Sequence, residues 1–325
     1  MRPNRFRSAL LFSITLLFLA ACTLLQPAKQ ELPPLRFGYS AWVGYFPIAI
    51  AQEKGFFAEQ GVPVQLSYSI DAQAQDADFG AGKLDGMTIV LGDVIRFAEF
   101  NPNVRIVLMI DESEGADAVV AKPEVQAIAD LKGKTIAAQL GGFGELFVTR
   151  MLEANSLTSN DVKLVNAYGD KVPNYFKSGD IQAGHTWEPY ISQLTKTGAR
   201  ILFTSKQTPG LISDVIAFHK SILQERPDDI RAFLRAWDQA VDYWQAHPDE
   251  GAAIISKATK VPIDQISLEG VKLHNRRDNL TLFTARTNPG SLYSTVKLYS
   301  DFYLRKGSLT RPLDVNQLLD SSFLK

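Results

Sequence analysis

Aromatic rings and carboxyl groups stand at the points where short apolar runs of this chain end. The rings are Trp42, Tyr45, Phe143 and Trp187, and the acids are Asp93, Asp111, Asp117, Glu145 and Glu188. Ser40, Ser113 and Gly142 accompany them. Each run reads as a strand, and in an open α/β sheet a ligand sits against the carboxyl ends of the strands. Aromatic faces attract cations and flat rings, and carboxylates accept hydrogen bonds from N–H donors. No arginine stands at these strand ends, although a nitrate, sulfonate or phosphate would call for one. Glu145 and Glu188 fall at helix starts, where free N–H groups otherwise welcome an anion, and each can satisfy those groups itself. The chemistry indicated is capture of a neutral or cationic nitrogenous solute: an amine, an amidine, a guanidinium-like group or an aminopyrimidine. Each residue also has a structural reading. Trp42 can cap a core, Trp187 can pack beside Pro189, the two glutamates can complement helix dipoles, and Asp111–Asp117 can be a solvated loop.

Catalytic and cofactor patterns are missing from the sequence. The loop Gly141-Gly142-Phe143-Gly144-Glu145 lacks the Lys-Ser or Lys-Thr of a phosphate-binding loop and the spacing of a dinucleotide fingerprint. No Gly-x-Ser-x-Gly elbow occurs. His185 is the only histidine near a strand end, and it reads as structural. His219, His247 and His274 are scattered without metal-ligand spacing. No enzyme activity, cofactor or metal is expected.

The elements that position these residues alternate strand and helix. Leu35–Ser40 is a strand; Pro47–Gln60 reads as a helix with Pro47 in its first turn and Ile48, Ala51 and Phe56 on one face. Val62–Tyr68 is a strand, Ala72–Leu84 mostly helical, Asp85–Val90 a strand, Asp93–Phe100 a helix and Val104–Ile110 a buried strand. A second such unit begins near Ala118: strands at Thr135–Leu140, Val162–Asn166, Gln182–Thr186 and Arg200–Phe203 alternate with helices at Glu145–Ala154, Val172–Ser178 and after Pro189. The pattern predicts layered α/β architecture with a largely parallel sheet. From Ser213 the character changes. After a strand at Asp214–His219, Pro227–Ala246 is a long amphipathic helix with Ile230, Phe233, Leu234, Trp237, Val241 and Trp244 on one face. Helix is expected again at Gly251–Thr259, Asp264–Leu273 and Gly290–Lys306. This helical third needs a sheet to pack on, and the first unit is the candidate host.

At the N-terminus, Arg2, Arg5 and Arg7 precede an apolar stretch from Ala9 to Ala21 that is too short to cross a bilayer comfortably. This predicts a secretory signal over residues 1–21. Residues 22–34 read as a proline-stiffened tether. Lys and Arg number 34 against 35 Asp and Glu. Loss of the three signal arginines takes the net charge from −1 to about −4. No basic block suited to nucleic acid is present. Hydrophobic residues make up 46% of the chain, a globular proportion.

Leu19-Ala20-Ala21-Cys22 resembles the bacterial lipobox, in which the cysteine becomes the lipidated first residue. Cys22 is the only cysteine, so no internal disulfide forms and lipidation would consume the thiol. The alternative is a plain signal peptide. Thr23 rather than Asp follows, so in a Gram-negative host nothing signals inner-membrane retention.

Four further segments resemble the binding proteins of nitrate, taurine, aliphatic-sulfonate and thiamine-precursor importers. They are Gly38-Tyr39-Ser40 with Pro47–Phe57; Gly82-Lys83-Leu84-Asp85-Gly86; Asp130–Lys134 with Asn160-Asp161-Val162; and Gly179–Ala183 running into Trp187-Glu188-Pro189-Tyr190. They occur in family order and span Leu35 to Leu194. The resemblance implies a two-lobed periplasmic-binding-protein fold of type II with the ligand in the cleft between lobes. Crossovers are expected near Asp117–Ala121 and Ser213–Phe218. Lobe one would comprise residues 35–117 and 218–325, and lobe two 118–213. It implies an exported, lipid-anchored, monomeric protein that closes on a small solute and delivers it to an ABC permease and its ATPase. Some members of the same family make the thiamine pyrimidine, but that chemistry is expected to need a reactive lysine, a histidine and metal-binding cysteines, and the cysteine cluster is absent here. A sensor input module would need a signalling domain, and the chain ends at Lys325 without one.

Overall fold

The computed structural model describes residues 32–284 and 291–324. The basic and apolar N-terminus with Cys22, most of the expected tether, and Gly290 at the expected start of the last helix lie outside the described residues.

The described strands make two sheets. In chain order they are β1 (Leu35–Ser40), β2 (Val64–Ser69), β3 (Gly86–Val90), β4 (Val104–Ser113), β5 (Asp117–Ala121), β6 (Thr135–Ala138), β7 (Lys163–Asn166), β8 (Ala183–Trp187), β9 (Arg200–Thr204), β10 (Ser213–His219) and β11 (Val271–Leu273). The first sheet has the order β11-β4-β10-β3-β1-β2 and the second β7-β6-β8-β5-β9. Both are mixed rather than largely parallel. In the first, β1 pairs in parallel with β2 and β3, whereas β10 runs antiparallel to both β3 and β4. In the second, β6 is parallel to β7 and β8, and β5 is antiparallel to β8 and β9. The two sheets thus repeat one plan: three parallel strands joined by crossover helices, then antiparallel strands.

Burial explains the strand sequences. β4 is buried almost throughout, and its Ile106–Ile110 stretch reads as a continuous apolar run, as a central strand covered on both faces must. At the edge, β2 alternates half-buried and exposed positions. The helical C-terminal third packs on the first sheet. Pro227–Ala246 lies against Pro47–Glu53 and Phe56–Glu59. Its Phe233 meets Phe37, Phe57 and Phe218 at ring-centroid distances of 4.6, 5.2 and 5.6 Å. Such ring contacts add about 0.5–1.5 kcal/mol each beyond area burial.

Several expectations differ from the observed elements. The helix expected over Pro47–Gln60 is two helices, Pro47–Glu53 and Phe56–Glu59, interrupted by Gly55 at φ 79°. A left-handed residue cannot continue an α-helix, and glycine adopts that conformation without steric cost. The helix expected over Asp264–Leu273 is a short 3-10 turn at Ile263–Gln265 and then the edge strand β11, paired antiparallel with Ser113, Glu112 and Asp111 of β4. Gly270, at φ 76°, carries the chain past Gly115, and its carbonyl accepts from the N–H groups of Glu114 and Ala116. Asp111–Asp117 is not a loop: β4 continues through Ser113 because β10 and β11 pair with it on either side, and β5 begins at Asp117. Lys220–Glu225 and Arg276–Leu282 are helices with no counterpart in the sequence reading.

The chain passes between the sheets twice, through Glu114–Ala116 and through residues 205–212. Asp117–Ala121 is therefore a strand wholly of the second sheet, and Ser213–Phe218 is a strand of the first, between β3 and β4. The Ser113 and Ser205 hydroxyls lie 2.8 Å apart across the two connections, and Ser205 also accepts from the Gly115 N–H at 2.7 Å. Residues from Leu35 onward form a single compact unit.

Candidate functional site

The parallel strands of both sheets end at one cleft. From the first sheet it is lined by Ser40, Ala41, Trp42 and Tyr45 after β1, by Ile70, Ala72 and Asp76 after β2, and by Thr88, Val90 and Asp93 at the end of β3. From the second come Phe143 after β6, Tyr168 and Asp170 after β7, and Trp187 and Tyr190 at and after β8. Asp117, the first residue of β5, and Asp214, the second of β10, complete it. Those strands run antiparallel to their neighbours, so their amino ends lie beside the neighbours' carboxyl ends.

Seven residues singled out from the sequence line this cleft: Ser40, Trp42, Tyr45, Asp93, Asp117, Phe143 and Trp187. The other five stand behind its wall. Asp111 is fully buried and accepts from the Trp42 indole N–H at 3.2 Å. Ser113 is held by Ser205 at the crossover. Gly142 precedes the helix Phe143–Ala154 and packs on Gln139. Glu145 turns back to accept from the Gly141 N–H at 2.6 Å and pairs with Lys306 at 2.6 Å. Glu188 accepts from the N–H and hydroxyl of Ser192 at 3.1 and 3.0 Å, capping its own helix. The Glu188–Pro189 peptide is cis.

Sequence reasoning missed Asp76, Tyr168, Asp170, Tyr190 and Asp214. Tyr168 and Asp170 follow a strand that was foreseen, and Tyr190 belongs to the Trp187-Glu188-Pro189-Tyr190 segment, so for these the strand-end rule only needed extending. Asp214 required knowing that β10 runs antiparallel. Asp76 projects from the helix Ala72–Gly80 and carries no sequence signal.

The lining is acidic and aromatic. Among the described residues it contains five aspartates and six aromatic residues, and no lysine, arginine or histidine. Nearby basic side chains are engaged from behind. Arg96 stands 3.6 Å from Asp93, Lys171 2.8 Å from Asp170 and 3.5 Å from Asp71, and His185 3.0 Å from Asp117. Asp93 also accepts from Gln139 at 3.0 and 3.1 Å, and this contact and Asp71–Lys171 bridge elements of the two sheets.

Burial dominates the electrostatics. It raises Asp214 to about 7, assisted by the Asp117 charge and opposed by the hydrogen bond from the Tyr45 hydroxyl. Asp111, opposite Asp214 in the β4–β10 register, is driven well above the ordinary carboxyl range by burial and then by Asp214. Two carboxylates so placed cannot both stay ionised cheaply, so the pair retains a proton. Burial raises Asp76 as well, with Asp93 adding to the effect, and it raises Asp93 against the opposing influence of Arg96. The Thr88 hydroxyl, fully buried at the cleft wall, has no hydrogen-bond partner, and neither does one carboxyl oxygen of Asp170. Among the described residues no cluster of His, Cys, Asp and Glu is arranged to hold a metal ion, and no helix is long and apolar enough to cross a membrane.

Comparison with known proteins places this geometry in context. The chain is similar to a Bacillus subtilis (strain 168) protein named for binding aliphatic sulfonates, with 24% identity over 303 residues covering 91% of this chain and 88% of that protein. A binding protein of Brucella abortus (strain 2308) is 26% identical over 317 residues, covering 95% of each chain. Among solved structures, the alkanesulfonate-binding protein SsuA from Xanthomonas axonopodis pv. citri bound to MOPS superposes with a TM-score of 0.73 at 15% identity, covering 90% of this chain and 99% of that one. The two-sheet architecture with a cleft between the sheets is therefore that of the periplasmic binding proteins. The family model described as NMT1/THI5 like matches residues 42–251, from the first cleft tryptophan through the helix that covers the first sheet, and this chain belongs to that family.

Proposed function

We propose that this protein is the substrate-binding component of an ABC importer, and that it captures a small neutral or cationic nitrogenous solute in the cleft between its sheets. The observation that carries the ligand class is the lining: carboxyl groups and aromatic faces with no cationic side chain among the described residues. Flat or positively charged groups gain from aromatic faces, and N–H donors are met by carboxyl oxygens. The related proteins named above support the binding role. Their named sulfonate ligands also motivate a second reading, an anion in the same cleft, which would need donors that the lining does not supply from lysine or arginine.

In this reading the sheets belong to two lobes that rotate about Glu114–Ala116 and residues 205–212. Asp71–Lys171 and Asp93–Gln139 tie the closed form together across the cleft. A closed monomer would dock on a permease served by its ATPase. The lipobox-like segment ending at Cys22 supports export and lipid anchoring, with the folded part held outside the cytoplasm by the tether.

The test is thermal denaturation of the purified protein against two panels, one of amines, guanidinium compounds and aminopyrimidines and one of nitrate, taurine and alkanesulfonates. A ligand at a hundredfold excess over its dissociation constant adds about 2.7 kcal/mol of stability. Stabilisation by the first panel that Trp187→Ala abolishes is the expected result. Saturable binding confined to the second panel would overturn the ligand class and leave the importer reading intact.

A further inference from the structure

Resting on the binding-protein reading, we propose that the ligand of this cleft carries a net positive charge, met by Asp76, Asp93 and Asp214, while the Thr88 hydroxyl and the free oxygen of Asp170 receive its hydrogen bonds.

The argument begins with what the aspartates lack. Asp170 has Lys171 at 2.8 Å as its own counter-charge, whereas Asp93 has only Arg96, 3.6 Å behind it. Asp76 and Asp214 form no ion pair with a lysine or arginine among the described residues. The charged and titratable groups facing Asp214 are Tyr45, Asp111, Asp117, Asp93 and Tyr299, and those facing Asp76 are Asp93, Arg96, Asp71, Tyr45 and Tyr168. Arg96 is thus a single cation for two acids. Burying carboxylates without counter-charge is costly, and the free protein can relieve it only by taking up protons. A cationic ligand supplies the missing charge directly, whereas a neutral ligand would seal the acids away from water and an anionic one would add a like charge. The unpartnered Thr88 hydroxyl is an independent sign of a ligand, because a fully buried hydroxyl ordinarily has a partner. Cation capture should release protons from the cleft and weaken as the solution is acidified below about pH 7, where Asp214 is protonated.

The experiment compares three probes of one shape and different charge: benzamidinium, benzamide and benzoate. Binding is read by melting temperature and by calorimetry in two buffers of different ionisation enthalpy. Benzamidinium is expected to bind at least tenfold tighter than benzamide at pH 8, with proton release, and benzoate not to bind. Equal or tighter binding of benzamide or benzoate overturns the proposal. If none of the three fits, collisional quenchers decide. Trp42 and Trp187 line the cleft, while Trp237 and Trp244 are buried in the core and silent. A negative potential of about one kT concentrates caesium about threefold and depletes iodide similarly. Caesium quenching at least threefold stronger than iodide, each relative to free N-acetyltryptophanamide, supports the proposal if Asp76→Asn or Asp214→Asn reduces the excess. Equal or iodide-dominated quenching overturns it. Binding of nitrate or sulfonates would also overturn this proposal but not the binding-protein reading, which falls only if no small molecule in either panel stabilises the protein.

Discussion

Replacing Asp214 by Asn should change how stability depends on pH more than it changes stability itself. Asp214 is 3% exposed and pairs in register with Asp111. Its carboxyl is raised from 3.8 to about 7, chiefly by burial. The folded state therefore holds a proton that the unfolded chain has released across most of this interval. The associated stability is fully present below the ordinary carboxyl value and is lost as pH rises through about 7. At about 1.4 kcal/mol per tenfold change in proton affinity, the upper bound is about 4 kcal/mol. Part of this belongs to Asp111, which shares the proton, so the expected fall between pH 5 and 8 is about 2–3 kcal/mol. His219, depressed by burial, acts in the opposite direction: its contribution is lost on acidification below about 6.5. The two are separated by the variant. Urea denaturation of ligand-free protein at half-unit pH steps should show wild-type stability declining toward pH 8. The Asp214→Asn curve should decline less steeply over the same range, the remainder coming from Asp111, Asp76 and Asp93, and meet or exceed wild type at pH 8. A wild-type curve with no decline between pH 5 and 8, or an unchanged slope in the variant, refutes the reasoning.

Two further substitutions probe the parts that hold the cleft. A Cβ at Gly169 would stand 2.3 Å from Cζ3 of Trp187, so Gly169→Ala must displace that ring; overpacking should cost about 1–3 kcal/mol and weaken cleft binding at least tenfold, read together by urea titration and Trp fluorescence. The Asn279 amide accepts from the Met109 N–H at 2.7 Å and donates to the Met109 carbonyl at 2.8 Å, acting as a side-chain strand partner for β4. Asn279→Leu leaves both backbone groups buried and unpaired, and a loss of about 2–5 kcal/mol in urea is expected; a loss under about 1 kcal/mol would show that β4 finds another partner.

The parts of the fold legible in the sequence were those dictated by local pattern. Pro227–Ala246 was readable to the residue because a proline opens it and one apolar face runs its length. The strand ends exposed Ser40, Trp42, Tyr45 and Phe143 because a parallel strand delivers its next residues to the cleft. What stayed hidden depends on neighbours distant in sequence. Acid-rich Asp111–Ser113 looks like loop until β10 and β11 are known to flank it, since only pairing on both sides makes an extended, buried acid affordable. Asp214 lies at the amino end of a strand whose direction is set by β3 and β4, not by its own sequence. Glu145 and Glu188 stand beside strand ends but their carboxylates are engaged by Gly141 and Lys306 and by Ser192.

The place of β10 also orders the assembly of the molecule in time. The second sheet is encoded without interruption and is complete once Thr204 is available. The first cannot close until residues 213–219 arrive to join β3 to β4, nearly a hundred residues after β4 itself is made. Until then the apolar faces of β3 and β4 have no common neighbour, and the loop that must close over them carries the slow, non-local character of high contact order. A chain emerging from its N-terminus thus presents its later sheet ready to fold while the earlier one waits.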